Sequence, residues 1–200
     1  MKPFETILKK LLPFVILFLI TSCNSTKNTK YSKDDEQFEL CSKEKYATLI
    51  TNYGPDQEHL VAAKNVHSLF ENLLIREKHL TETSKPAYAS LLEKAKRKEI
   101  KPEFFEKFKQ EIGFDPILLF RISMHLSCYE QPTLLLKTLD ESSWQFKFME
   151  AYWIFEAKGD LSHDQNLLTE AMYVIPDEKF EMIMYRKLFL DLIYTYLSLN

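Results

Sequence analysis

Proline and glycine punctuation constrains this chain more than any other feature. From Phe38 onward, Pro55, Pro86, Pro102, Pro116 and Pro132 each stand at the opening of an apolar-periodic stretch. Proline suits the first helical turn, where its missing N–H is no loss. Pro176 reads instead as a stop before the last helix. The three glycines, Gly54, Gly113 and Gly159, each follow a periodic segment, as C-terminal caps do. There is no Asn-Gly or Asp-Gly pair, so hairpin turns have little support. The pattern predicts an all-α chain: a single multi-helix bundle or helical-hairpin array of about eight to nine helices.

Helices are expected over 38–52, 56–80, 86–99, 102–112, 116–129, 132–139, 141–158, 163–175 and 177–198. Leu60, Ala63, Val66, Phe70, Leu73 and Leu74 mark one face of the second. Tyr88, Leu91, Leu92 and Ala95 do so for the third, and Phe104, Phe105, Phe108 and Ile112 for the fourth. Trp144 to Phe155 and Phe180 to Leu199 are apolar nearly all round. Such helices belong at the middle of a bundle or at a partner interface. Residues 120–128 alternate apolar and polar with a strand period, but no partner strand accompanies them and an isolated strand is unstable. Helix is therefore expected there too.

Before Phe38 the chain changes character. Lys2, Lys9 and Lys10 give a positive start, and Leu11 to Ile20 is an uninterrupted apolar run. Ten helical residues rise about 15 Å, roughly half a bilayer core. This is a signal-peptide core rather than a membrane span. The run ends in Ile20-Thr21-Ser22-Cys23, which resembles the lipobox of bacterial lipoproteins. That resemblance covers 1–23 only. It implies that 1–22 is a signal peptide removed on export, and that Cys23 is lipidated and becomes the mature N-terminus. The lipid then anchors the chain in the bacterial cell envelope, at the outer membrane, on its periplasmic face or at the cell surface. Several acyl chains hold stably, at about 0.8 kcal/mol per buried CH₂.

Losing Lys2, Lys9, Lys10 and Glu5 with the signal leaves 23 basic against 28 acidic side chains. A mildly acidic body does not adhere to anionic lipid by itself, so the anchor falls to the acyl chains. Residues 24–37 carry no apolar side chain except Tyr31. Such a segment cannot offset its ordering entropy. Residues 23–37 are thus expected to be a lipidated cysteine and flexible tether, and 38–200 the helical domain. Lys33-Asp34-Asp35-Glu36 loosely resembles the acidic export tag of surface lipoproteins in some Gram-negative groups, displaced from Cys23; the alternative is a solvated charge run.

Residues 148–176 resemble one degenerate tetratricopeptide-type hairpin, on Phe155, Gly159, Ala171 and Pro176. Tyr152 and Asp164 stand where that family prefers small residues, and no second copy follows at the family's spacing. The resemblance implies a protein-binding scaffold.

Chemistry-bearing residues are sparse. After Cys23, only Cys41 and Cys128 remain. In an oxidising compartment they are candidates for one disulfide, the alternative being two buried thiols. His125 precedes Cys128 by three residues, but no cysteine-hydrolase signature surrounds the pair. Arg121 and His125 share a helical turn, as a solvent face or a pocket lining. His59, His67, His79, His125 and His163 form no zinc signature, and are expected on the surface or at caps, with no metal. Lys94, Lys96, Arg97, Lys98 and Lys101 form a basic run ending the third helix. The helix dipole favours cations there; the alternative is a patch for an acidic partner or lipid headgroups. Asp34 and Asp35 fall in the tether, where nothing rigid positions them.

No nucleophile elbow, phosphate loop or dinucleotide fingerprint is present. Near charge balance, at a formal net of -3, argues against a nucleic-acid partner. The sequence thus points to a lipid-anchored, non-catalytic helical module with a protein partner, a membrane held through its N-terminal lipid, and no cofactor. An immunity-like inhibitor of an envelope-targeting toxin is the alternative, followed by an envelope enzyme with an unfamiliar site.

Overall fold

A computed structural model describes residues 32–53, 56–134, 141–158 and 165–198. The signal-peptide, lipidation and most tether expectations, Cys23 among them, lie outside these residues, as do Gly54, Pro55, Gly159 and His163. Residues from Lys33 onward form one compact unit. Among the described residues there are ten α-helices and no strand. In chain order they are α1 (Lys33–Tyr53), α2 (Leu60–Lys64), α3 (Val66–Arg76), α4 (Lys85–Lys96) and α5 (Pro102–Ile112). Then follow α6 (Ile122–Leu134), α7 (Trp144–Lys158), α8 (Gln165–Val174), α9 (Asp177–Phe180) and α10 (Ile183–Ser198). Short 3₁₀ turns at Gln57–His59 and Ile117–Leu119 complete the set. No helix among the described residues is long and apolar enough to cross a membrane.

The all-α expectation holds, and local chemistry explains most boundaries. Helix α4 opens on Ser84, which has extended backbone and accepts a bond from Ala87 N–H at 3.4 Å, with Pro86 in the first turn. Helix α5 opens on Pro102 and closes on Gly113 at φ 84. A side chain at Gly113 would be strained there, and its Cβ would lie 2.5 Å from the His59 ring. Both α3 and α4 end in paired carbonyl-capping bonds with a lysine in the left-handed position: Lys78 at φ 61 and Lys98 at φ 56.

Four expectations need correction. The tether does not extend to Gln37, because α1 begins at Lys33 with Asp34, Asp35 and Glu36 in its first turn, where the helix dipole favours acids. The expected 56–80 helix is broken at Asn65, whose side-chain amide bonds back to the Val61 carbonyl at 2.9 Å. Pro132 starts no new helix; α6 runs through it to Leu134. The expected 116–129 helix is divided: a 3₁₀ turn at Ile117–Leu119 is followed by α6 from Ile122, with Phe120 and Arg121 outside either element, while 122–128 is helical as expected.

Helix α10 is the hub. It packs against α1, α3, α4, α5, α6 and α9. Leu188, Phe189, Leu190, Leu192, Ile193 and Tyr194 are all buried on it, so it has no solvent face along this stretch. Helix α7 is one-sided instead: Phe148, Met149, Tyr152 and Phe155 are buried, while Trp153 and Ile154 are exposed. Helices α7 and α8 pack closely as a hairpin, with Phe155 and Ala171 inside it.

Candidate functional site

Three titratable side chains meet inside this core, each on a helix whose apolar face buries it. Asp191 is fully buried on α10 between Leu190 and Leu192. His67 follows Val66 at the start of α3, and His125 lies one turn into α6. The His67 Nε2 nitrogen is 2.7 Å from Asp191 Oδ1, and His125 Nδ1 is 2.5 Å from Asp191 Oδ2. One carboxylate thus joins three helices. The imidazole rings stand perpendicular, with centroids 4.8 Å apart. Tyr46 of α1 stacks on His125 and meets His67 edge-on, and its hydroxyl donates to the Ala63 carbonyl at 3.0 Å. Lys187 of α10 covers the Tyr46 ring at 5.6 Å, and its ammonium donates to Ser42 Oγ at 3.3 Å.

Burial holds the His67 imidazole down to about 4, against the pull of Asp191. Burial opposes ionisation of Asp191, but the two imidazoles outweigh it and keep the carboxyl below its ordinary range. The cluster is therefore an ionised carboxylate accepting from an N–H of each ring. His125 Nε2, on the far edge of its ring, is buried with no hydrogen-bond partner.

The ligand atoms of His67, His125 and Asp191 lie within 4.8 Å of one another. Two ligands of one tetrahedral zinc, each about 2.0–2.1 Å from the ion, stand about 3.3 Å apart. The nitrogen–oxygen separations here are 2.7 and 2.5 Å, the spacing of shared protons. Ligating histidines also anchor their second nitrogen, and His125 Nε2 has no such anchor. The donor set suits hydrogen bonding better than metal.

Two further buried polar groups bind α10 to its neighbours. Arg186 grips both oxygens of Glu71 at 2.7 and 3.0 Å, donates to the Phe180 carbonyl at 2.6 Å, and Tyr88 also donates to Glu71. Asp35, fully buried, accepts from Tyr185 at 2.7 Å and from Lys179 at 2.5 Å. The expectation that nothing rigid positions Asp35 is thus overturned, since α1 carries it into the core.

The residues singled out in the sequence fare differently. Cys41 and Cys128 are joined by a disulfide that ties α1 to α6. Of the Arg121–His125 strip, Arg121 is exposed and His125 is buried, so the two do not share a solvent face. His67 and His125 are core residues, not surface or cap histidines, because Asp191 satisfies a donor of each. His59 does sit at a turn, bonded to Asp56 at 2.7 Å. The basic run divides: Lys94 donates to the His79 carbonyl at 3.0 Å, Arg97 lies beside Glu93 and Glu99, and Lys96, Lys98 and Lys101 are exposed. A shallow cleft beside the start of α4 is lined by Glu82, Ser84, Lys85, Asp177 and Glu181; its lysine already meets Asp177 at 2.8 Å.

Tyr46 and Asp191 were not marked by sequence reasoning, and His67 was considered only as a surface or cap histidine. A signal existed for Asp191: it is the one charged residue in the otherwise apolar run from Leu188 to Tyr194, which leaves it little solvent face to occupy. Compared with protein-family models, curated proteins and solved structures, the chain matches none.

Proposed function

We propose that this protein is exported, held in the bacterial envelope by lipid on Cys23, and serves there as a non-catalytic helical module that binds another protein. The observation that carries the reading is the Cys41–Cys128 disulfide. Structural disulfides persist in oxidising compartments and are rare in the cytosol. These are the only two cysteines beyond Cys23. Their pairing therefore agrees with a start that resembles a lipoprotein signal.

The buried polar groups fit a binding module better than an enzyme. Asp191, Glu71 and Asp35 each spend their oxygens on groups of the same core. They hold helices together, and the described cleft does not reach them. The exposed Trp153 and Ile154 on α7 supply an apolar step of the kind protein partners anchor on.

Metabolic labelling with an alkynyl fatty acid tests the anchor. The parent chain should take the label and fractionate with membranes, and Cys23→Ala should do neither. Unlabelled parent protein in the soluble fraction would refute the proposal. A Trp153→Ala/Ile154→Ala variant that keeps the parent's stability should lose crosslinks to its envelope partner; unchanged crosslinks would move the binding face elsewhere.

A further inference from the structure

The covalent and ionic ties divide the core into two pairs of helices. Cys41–Cys128 joins α1 to α6. Arg186–Glu71 and His67–Asp191 both join α10 to α3. The bond from His125 to Asp191 crosses between the pairs, from α6 to α10, and ends on the same carboxylate that His67 uses.

On its His125 side this crossing point has no partner for an added proton. Each ring presents one nitrogen to Asp191, which leaves its other nitrogen as the place where an added proton would sit. For His125 that nitrogen is buried and unpartnered. A proton there is an N–H⁺ without an acceptor in an apolar core, which is costly. The titratable and charged groups acting on the cluster are Tyr46 from α1, Tyr152 from α7 and Lys187 from α10. Glu39 and Lys43 of α1 act on Lys187. Phe120 contributes only a ring, 5.0 Å from that of His67. Neither phenol titrates in acid, and Lys187 stays charged, so the closed cluster would hold unbalanced positive charge once both imidazoles were protonated.

We propose that the His67–Asp191–His125 cluster is an acid-sensitive latch: it holds the α1–α6 pair against the α3–α10 pair at neutral pH and releases it on acidification. The release is a seam opening, not global unfolding. The disulfide keeps α1 with α6. The Arg186–Glu71 pair, whose guanidinium stays charged, keeps α3 with α10. Other polar contacts across the seam are the Tyr129 hydroxyl on the Tyr185 carbonyl at 2.8 Å, Lys187 on Ser42 Oγ and over the Tyr46 ring, and Asp35 with Tyr185 and Lys179. Of these, only Asp35 titrates in acid, so it is the competing sensor.

The test is hydrogen exchange read by mass spectrometry on the oxidised full chain at about pH 7 and about pH 4.5, with exchange times scaled for the intrinsic rate. Acid should cut protection by about tenfold or more in residues 38–50 and 122–130, while 66–76 and 183–194 keep theirs. In His67→Gln/His125→Asn the amide nitrogens stand where Nε2 and Nδ1 stood and cannot take up a proton. That variant should stay closed at the acidic pH, and Asp35→Asn should open as the parent does. Uniform loss of protection in the parent would overturn the latch, and so would a folded double variant that opens at the parent's pH. If the double variant does not fold, the segment pattern in the parent decides alone. Opening in the parent that Asp35→Asn abolishes would assign the sensor to Asp35 and overturn the proposal.

Discussion

The hydroxyl of Tyr194 is buried without a partner, although its ring stacks on Phe120 with centroids 4.0 Å apart. The ring stabilises the core by packing; the orphan hydroxyl only costs desolvation. Tyr194→Phe should therefore raise stability by about 1 kcal/mol, read as a higher urea midpoint at unchanged slope. His67 makes a prediction of opposite sense. Its folded value, held down to about 4, lies below the ordinary 6.5 of the unfolded chain. The unfolded state thus binds the proton first as pH falls. Stability is complete above pH 6.5 and declines down to about pH 4, by up to about 3 kcal/mol from this group. Urea titrations across that window should show the decline in the parent and a smaller one in His67→Gln. Part of this residue-level picture was legible in the chain. Asp191 is flanked by Leu190 and Leu192 in a run, Leu188 to Tyr194, that is otherwise apolar, so burial followed from its neighbours. That its partners are His67 and His125 was not legible, because 124 and 66 residues separate them from Asp191. Only the packing of three helices sets that meeting.

The helices themselves were the most readable level. For α5, proline at the start, four apolar residues on one stripe and glycine at the end fix Pro102–Ile112 without tertiary help. The break at Asn65 was not readable from apolar spacing, since the stripe from Ala63 through Val66 to Phe70 continues across it. At the end of α4, Lys98 occupies the left-handed position usual for glycine. Lys98→Gly should relieve that strain and raise the melting temperature, for a gain of about 0.5–1 kcal/mol. An unchanged or lower melting temperature would mean that Lys98 makes a compensating contact. The disulfide acts on whole elements. Cys41 and Cys128 are 87 residues apart, so reduction restores much loop freedom to the unfolded chain. Loop-entropy reasoning sets the loss at about 4–5 kcal/mol as an upper value. Denaturation with and without reductant should show a large part of it, and Cys41→Ser/Cys128→Ser should match the reduced parent.

For the whole molecule, the described residues from Lys33 onward form one compact all-helical unit centred on α10, which is buried all round from Leu188 to Tyr194. The acidic start of α1 belongs to that unit, because Asp35 is fixed by Tyr185 and Lys179 of the far end of the chain. Binary patterning could not place Asp35, since its ties depend on how the last helices fold back. The location proposed for this unit makes its Cys41–Cys128 bond and its N-terminal lipid two marks of one export route. Intact-mass spectrometry of the protein purified from its own host reads both at once. The predicted species lacks residues 1–22, carries acyl mass on Cys23, and is two hydrogens lighter than the dithiol. A full-length 23.7 kDa chain that begins at Met1 and holds three free thiols would contradict it.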